Sequence, residues 1–191
     1  VDSLSYWTFT DVFEEGGAGD AAFHGGFGMI NYRGIPKPAF HAYRMLSRLG
    51  DQRVAQSPGA IVTRHAASGK VSALAYHYPP QVPQSVPASF DSNAVAEQTL
   101  AAGSPTELTI ELAGLIPGAA VVVETLDKYH GNAPAAWRAM NSPHSPSPGQ
   151  IAALQQVAWG TDQCAYHADA AGRFALRLTM QPWAVVSVRE L

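Results

Sequence analysis

The chain has 191 residues and a formal net charge of −3, a length that suits one large domain, or one domain plus a fragment, with a sizeable core. Only 14% of the residues are charged and no basic face is suggested, which argues against nucleic acid as a partner. No apolar run of about eighteen residues argues for a membrane span, and the lone Cys164 excludes an intrachain disulfide while leaving the compartment open.

Taken in chain order, Ser5–Phe9 (SYWTF) is rich in aromatic and β-branched residues and reads as a strand. From Glu15 to Gly28 the chain holds six glycines and reads as a long loop. In KPAFHAYRMLSRLG, Ala39, Ala42, Tyr43, Leu46 and Leu49 recur at helical spacing and make one apolar stripe. Pro38 suits the first turn, Arg44 and Arg48 the carboxyl end of the dipole, and Gly50 the left-handed exit.

Beyond Gly50 the texture changes to short β-rich runs: 60–65, 71–77, 107–112, 120–126, 174–180 and 183–188. ASGK (Ala67–Lys70) predicts a hairpin between the first two. Leu108, Ile110 and Leu112 alternate with Thr109 and Glu111, as do Phe174, Leu176, Leu178 and Met180 with their neighbours. That period of two predicts half-buried strands. Pro79–Pro87 is an irregular, extended connection, and a proline-rich loop feeds a short helix from about Ser147 to Trp159. The expected class is therefore mainly β: one β/α unit followed by an antiparallel sandwich, with residues 1–50 and 51–191 as the two parts.

Three acids, Asp11, Glu14 and Glu15, sit among Trp7, Phe9 and Phe13. Glu14 and Glu15 are neighbours, so on an extended chain they project to opposite sides and do not converge on one bond. Trp7, Phe9, Asp11, Phe13 and Glu15 share parity, so Glu15 follows Trp7 if the extended form persists. The alternative is a solvated acidic loop. Trp7 is either a flat apolar platform for a sugar or a core side chain. FHGGFG lacks the Lys and Ser/Thr of a phosphate cradle, so its glycines read as permitting a tight backbone path. His24 on that loop either faces a cleft or is a satisfied loop histidine. Seven histidines show no HExxH and no paired Cys/His spacing, and no GxSxG elbow is present. DKYHGN (Asp127–Asn132) is a polar turn at the end of an apolar strand.

Three stretches, SYWTFTDVFEE, FHGGFGMI and GIPKPAFHAYRMLSRLG, closely resemble the closing section of the catalytic domain in glycoside hydrolase family 39, which contains β-xylosidases and α-L-iduronidases. LDKYHGNAPAAWRAMNSP and MQPWAVVSVREL resemble its bacterial β-xylosidase branch, with Pro79–Ser104 the least matched. The resemblance implies a (β/α)₈ barrel followed by a β-sandwich accessory domain. Ser5–Phe9 would then be the last barrel strand, Lys37–Leu49 its helix, and the sandwich would begin near Asp51. It implies a retaining hydrolysis of xylosides or xylo-oligosaccharides that needs no cofactor and no metal. The family's acid/base lies in an Asn-Glu motif, and this sequence contains no Asn-Glu pair. Both catalytic glutamates are therefore expected upstream, with the amino-terminal barrel as the missing partner and no activity in this chain alone. By the same resemblance Trp7, Glu15, Phe23 and His24 are the substrate-binding residues. Two rival readings are a non-catalytic carbohydrate-binding or structural sandwich module and an iduronidase-like glycosidase. The second would want a cation for the substrate carboxylate, and Arg33 is the only arginine near these motifs.

Overall fold

The computed structural model describes residues 5–12, 19–24, 26–79, 98 and 101–191. Its elements run α1 (Pro38–Leu46), β1 (Gln52–Ser57), β2 (Ala60–Arg64), β3 (Val71–Tyr76), β4 (Thr106–Ala113), β5 (Ala120–Leu126), α2 (Ala133–Ala139), α3 (Pro148–Trp159), β6 (Asp162–His167), β7 (Arg173–Met180) and β8 (Val185–Glu190). The protein is mainly β, with a six-stranded sheet in the order β1-β2-β3-β8-β5-β6 and a pair β4-β7. Every strand pairing in both sheets is antiparallel.

Two compact units emerge. One joins Val1–Tyr43 to Tyr129–Thr161, and the other joins Arg44–Lys128 to Asp162–Leu191. The excursion 129–161 thus groups with the first residues of the chain. Its apolar side chains explain why: Ala133, Trp137, Leu154 and Ala158 bury themselves in one cluster with Ala22 and Ile35.

The larger unit follows from alternation. In β4 and β7 the partners Leu108↔Leu178, Ile110↔Leu176 and Leu112↔Phe174 put apolar side chains on one face. They join Val71, Ala73 and Ala75 of β3, Val121 and Val123 of β5, and Val186 and Val188 of β8 in one core. Glu190 shares the parity of Val186 and Val188, and its buried carboxylate accepts from the amides of Val71 (2.9 Å) and Ile116 (2.8 Å). These are charge-assisted bonds that offset the cost of burying it. The opposite parity of the sheet mixes apolar side chains such as Leu74 and Leu126 with buried polar ones. Glu124, fully buried, accepts from the guanidinium groups of Arg44 and Arg48 and from Gln163 Nε2 (3.3 Å). Nearby, burial first and then the charge of Arg48 pull Arg189 below its ordinary pKa, with Glu124 acting in the other direction. The two edge strands, β1 and β6, are exposed almost throughout, and the β1–β2 register shifts between Arg53 and Ala55. An irregular, polar edge of this kind discourages further strand pairing.

In the smaller unit α3 is closed by a capping box. Ser147 Oγ accepts from the Gln150 amide (3.3 Å), and the Gln150 side chain accepts from the Ser147 amide (2.9 Å). The predicted strand Ser5–Phe9 is not one. The chain bends at Trp7, Phe9 and Asp11, and its pairing reduces to a parallel bridge, Thr10↔Ile30. The backbone bonds around it are Met29 N–H to Thr8 O (3.0 Å), Ile30 N–H to Phe9 O (3.0 Å) and Asp11 N–H to Ile30 O (2.9 Å). Strand propensity expresses a fit to a pleated, half-buried surface. Among the described residues this segment has such a neighbour on one side only, for four residues.

Candidate functional site

The site-bearing residues all lie in the smaller unit. Trp7 is 81% exposed, Phe9 63% and Phe27 69%, so three aromatic side chains stand in solvent on two strands of chain that hydrogen-bond to each other. Asp11, two residues beyond Phe9, is instead buried. The alternation that would have carried Glu15 to the side of Trp7 is therefore broken at Asp11, because the chain bends there to close its bond with Ile30. Glu15 itself lies outside the described residues.

The burial of Asp11 is well compensated on one oxygen. Its Oδ1 accepts from the Gly28 amide (2.8 Å) and from Lys37 Nζ (2.7 Å). The same ammonium donates to Gly26 O (2.8 Å). One ion pair thus grips both sides of Phe27 and holds the Gly26–Gly28 turn against the Thr10–Asp11 backbone. The glycines are required by that approach. A Cβ on Gly28 would collide with Thr10 and Asp11 main-chain atoms, and one on Gly26 would come within 2.7 Å of Asp11 Oδ1. Asp11 Oδ2 is buried and makes no hydrogen bond. His24 Nε2 lies 4.0 Å from it.

His24 is exposed as a residue, and its ring sits where Cβ atoms on Gly19 (φ +74°) or Gly26 would be. Phe23 packs edge-on to Trp137 with ring centroids 5.7 Å apart and is half-buried beside the apolar cluster of this unit. Trp137 is fixed in turn by donating Nε1–H to Pro143 O (3.0 Å). Arg33 is exposed, with its guanidinium 4.9 Å from the ring centre of Tyr32, a cation–π stack on its own neighbour. Trp7 is therefore open to a ligand, whereas Phe23 and the His24 side chain, 24% exposed, are open only in part. Sequence reasoning set Asp11 among three candidate acids without naming its partner, and passed over Lys37. The one available signal was an acid embedded among aromatics, where a carboxylate needs a partner.

Other chemistry is sparse. Among the described residues no group of three His, Cys, Asp or Glu side chains could hold a metal ion. Among the same residues no helix is long and apolar enough to cross a membrane. A cavity of 180 Å³ in the larger unit is lined largely by aliphatic side chains, among them Ala60, Val62, Ala73, Leu108 and Ile110. It offers no aromatic platform of the kind a sugar stacks on.

The chain is 34% identical over 149 residues to a β-xylosidase of Geobacillus stearothermophilus, covering 77% of this chain and 25% of that protein. Identity to a β-xylosidase of Caldicellulosiruptor saccharolyticus is 30% over 164 residues, covering 82% of this chain and 31% of that protein. The chain therefore spans about a quarter to a third of the length of these relatives. The crystal structure of a GH39 enzyme from Xanthomonas axonopodis pv. citri superposes with a TM-score of 0.78 at 26% identity, over 100% of this chain and 37% of that one. The sequence profile of glycosyl hydrolases family 39 matches residues 1–175, and the chain belongs to that family.

Proposed function

We propose that this chain is the carboxyl-terminal portion of a retaining β-xylosidase: the closing β/α unit of its catalytic barrel, within residues 1–50, and a β-sandwich accessory domain beyond. The observation that carries the reading is the open aromatic edge, Trp7 with Phe9 and Phe27, beside a buried, ion-paired Asp11, in a chain with no Asn-Glu pair. The similarity to proteins named β-xylosidases supports the choice of sugar.

A retaining glycosidase uses two carboxyl groups about 5 Å apart, one as nucleophile and one as acid and then base. In the complete protein both would come from chain that precedes Val1. This portion would supply the wall of the pocket. The exposed indole of Trp7 would take the C–H face of the xylose ring, an apolar contact with no demand on orientation of hydroxyls. Glu15 would accept hydrogen bonds from sugar hydroxyls, and His24 and the free edge of Phe23 would border the ring. The hydroxyls bonded to Glu15 would then fix the ring while the upstream pair acts on the anomeric carbon. Arg33 stacks on its own neighbour Tyr32, and the relatives named above are β-xylosidases, which together support a xyloside over an iduronide.

The test is to assay the 191-residue chain and the longer protein that contains it on nitrophenyl β-D-xyloside and on an α-L-iduronide. Hydrolysis of the xyloside by the longer protein only is the expected result. Turnover by the 191-residue chain alone, or preference for the iduronide, would overturn the reading.

A further inference from the structure

Sugar-binding rims are often loops, and a loop can orient a ligand only if something orients the loop. Here the turn that carries Phe27, and the histidine that precedes it, have no regular secondary structure between Gly19 and Met29 among the described residues. Besides the Asn31 side chain at Ala22 O and the Met29 amide at Thr8 O, what holds them is one carboxylate. Asp11, whose side chain is fully buried, binds the Gly28 amide and Lys37 through Oδ1, and Lys37 ties in Gly26 O. Its second oxygen is also buried, accepts no hydrogen bond, and looks at His24 Nε2 from 4.0 Å. Two glycines, at 19 and 26, leave the space that the imidazole occupies. Lys37 lies at the foot of α1, whose first helical residue is Pro38, so the clamp is anchored to a rigid element. A buried carboxylate with one oxygen doubly bonded and the other aimed at an imidazole does more than satisfy itself: it sets where that imidazole and the Gly26–Gly28 turn stand.

We propose that Asp11, together with Lys37, is a positioning residue of the sugar pocket, which locks the Gly26–Gly28 turn and, through Oδ2, the ring of His24. The proposal rests on the β-xylosidase reading for the identity of the ligand, but the clamp itself rests on the geometry alone. Asp11 touches no sugar in this scheme. It acts through His24 and the turn, so its loss weakens binding of substrate more than it slows the bond-breaking step.

Four variants in the longer protein test it: Asp11→Asn, Lys37→Met, Lys37→Arg and Gly26→Ala. Losing a charge-assisted hydrogen bond in a buried clamp corresponds to about a tenfold loss or more in what it supports. Asp11→Asn and Lys37→Met are expected to raise KM for nitrophenyl β-D-xyloside about tenfold with kcat within about threefold, the pattern of lost ground-state binding. Lys37→Arg, which keeps the cation, restores KM to within about threefold of wild type. Gly26→Ala keeps every charge but displaces the His24 ring, and it raises KM in the same direction, so the proposal stays testable if the charge variants fold poorly. Hydrogen exchange of the peptide spanning residues 24–30 gives a second readout, faster by about tenfold in Asp11→Asn. Unchanged KM and unchanged exchange in Asp11→Asn would overturn the proposal, as would a fall in kcat with KM unaltered. A wild-type protein inactive on xylosides would sink the β-xylosidase reading instead, and exchange would still decide the clamp.

Discussion

The two compact units solve the same problem with different means. The larger one is held by repetition: apolar side chains at every second position of β3, β4, β5, β7 and β8 meet in one continuous core. Its few buried charges, Glu124 and Glu190, are tied off by arginines and amides. Among the described residues the smaller unit has an apolar cluster of six buried side chains, and its loops are held by polar devices: the Asp11–Lys37 pair, the capping box of Ser147, and Asn31. That asparagine accepts from the amides of Arg33 (3.0 Å) and Ile35 (2.9 Å) while donating to Ala22 O (2.9 Å). The contrast teaches where each kind of constraint is used. Repeated burial makes a stable body cheaply, whereas single hydrogen bonds place single groups, which is what a binding rim needs.

The contrast can be broken most forcefully in the core of the larger unit. Phe174 is buried against Leu112 and Tyr166, and Phe174→Ala should cost about 3–5 kcal/mol in urea unfolding. A loss below about 1 kcal/mol would mean that the two sheets do not depend on a shared core. Trp7 provides the opposite case. At 81% exposure it should change stability by no more than about 0.5 kcal/mol when replaced by Ala, yet remove most xyloside affinity in the longer protein. A large destabilisation of the 191-residue chain by Trp7→Ala would place that indole in a core instead. Asp51 gives the smallest effect. The Ala66 amide (2.8 Å to Oδ1) holds its carboxyl below the ordinary value of 3.8, so it is more acidic folded than unfolded. Its contribution is therefore present above that ordinary value and fades as pH falls through the lowered folded one. Asp51→Asn should flatten the acid end of the stability curve slightly and leave neutral pH nearly unchanged, as followed by thermal unfolding.

Much of the fold was legible because half-burial writes itself into alternation. The runs at 60–65, 71–77, 107–112, 120–126 and 174–180 correspond to β2, β3, β4, β5 and β7 within one or two residues. β8 begins at Val185 rather than Trp183, since Trp183 takes φ +67° in the turn after Pro182. Both edge strands escaped notice for the complementary reason: QRVAQS and DQCAYH are solvated on both faces, so neither shows a period. Ser5–Phe9 failed in the other direction, its aromatic composition mimicking a strand that is absent. Helix α2 is only APAAWRA, too short for a stripe, and its start was marked by no more than Asn132, whose side chain accepts from the Ala135 amide (3.3 Å). Within the site, Trp7 and the need for glycine at 26 and 28 could be read from residue type. The Asp11–Lys37 clamp could not, because it joins residues 26 apart through a turn whose path no local pattern specifies.

One topological fact has an evolutionary edge. The polypeptide supplies the first unit, then the second, then returns to the first at Tyr129 and to the second at Asp162. No single recombination junction can therefore graft either body intact onto another gene. A lineage that inherits the all-antiparallel half must inherit the aromatic rim with it, and ancestral exchange of accessory modules would leave this pair undivided.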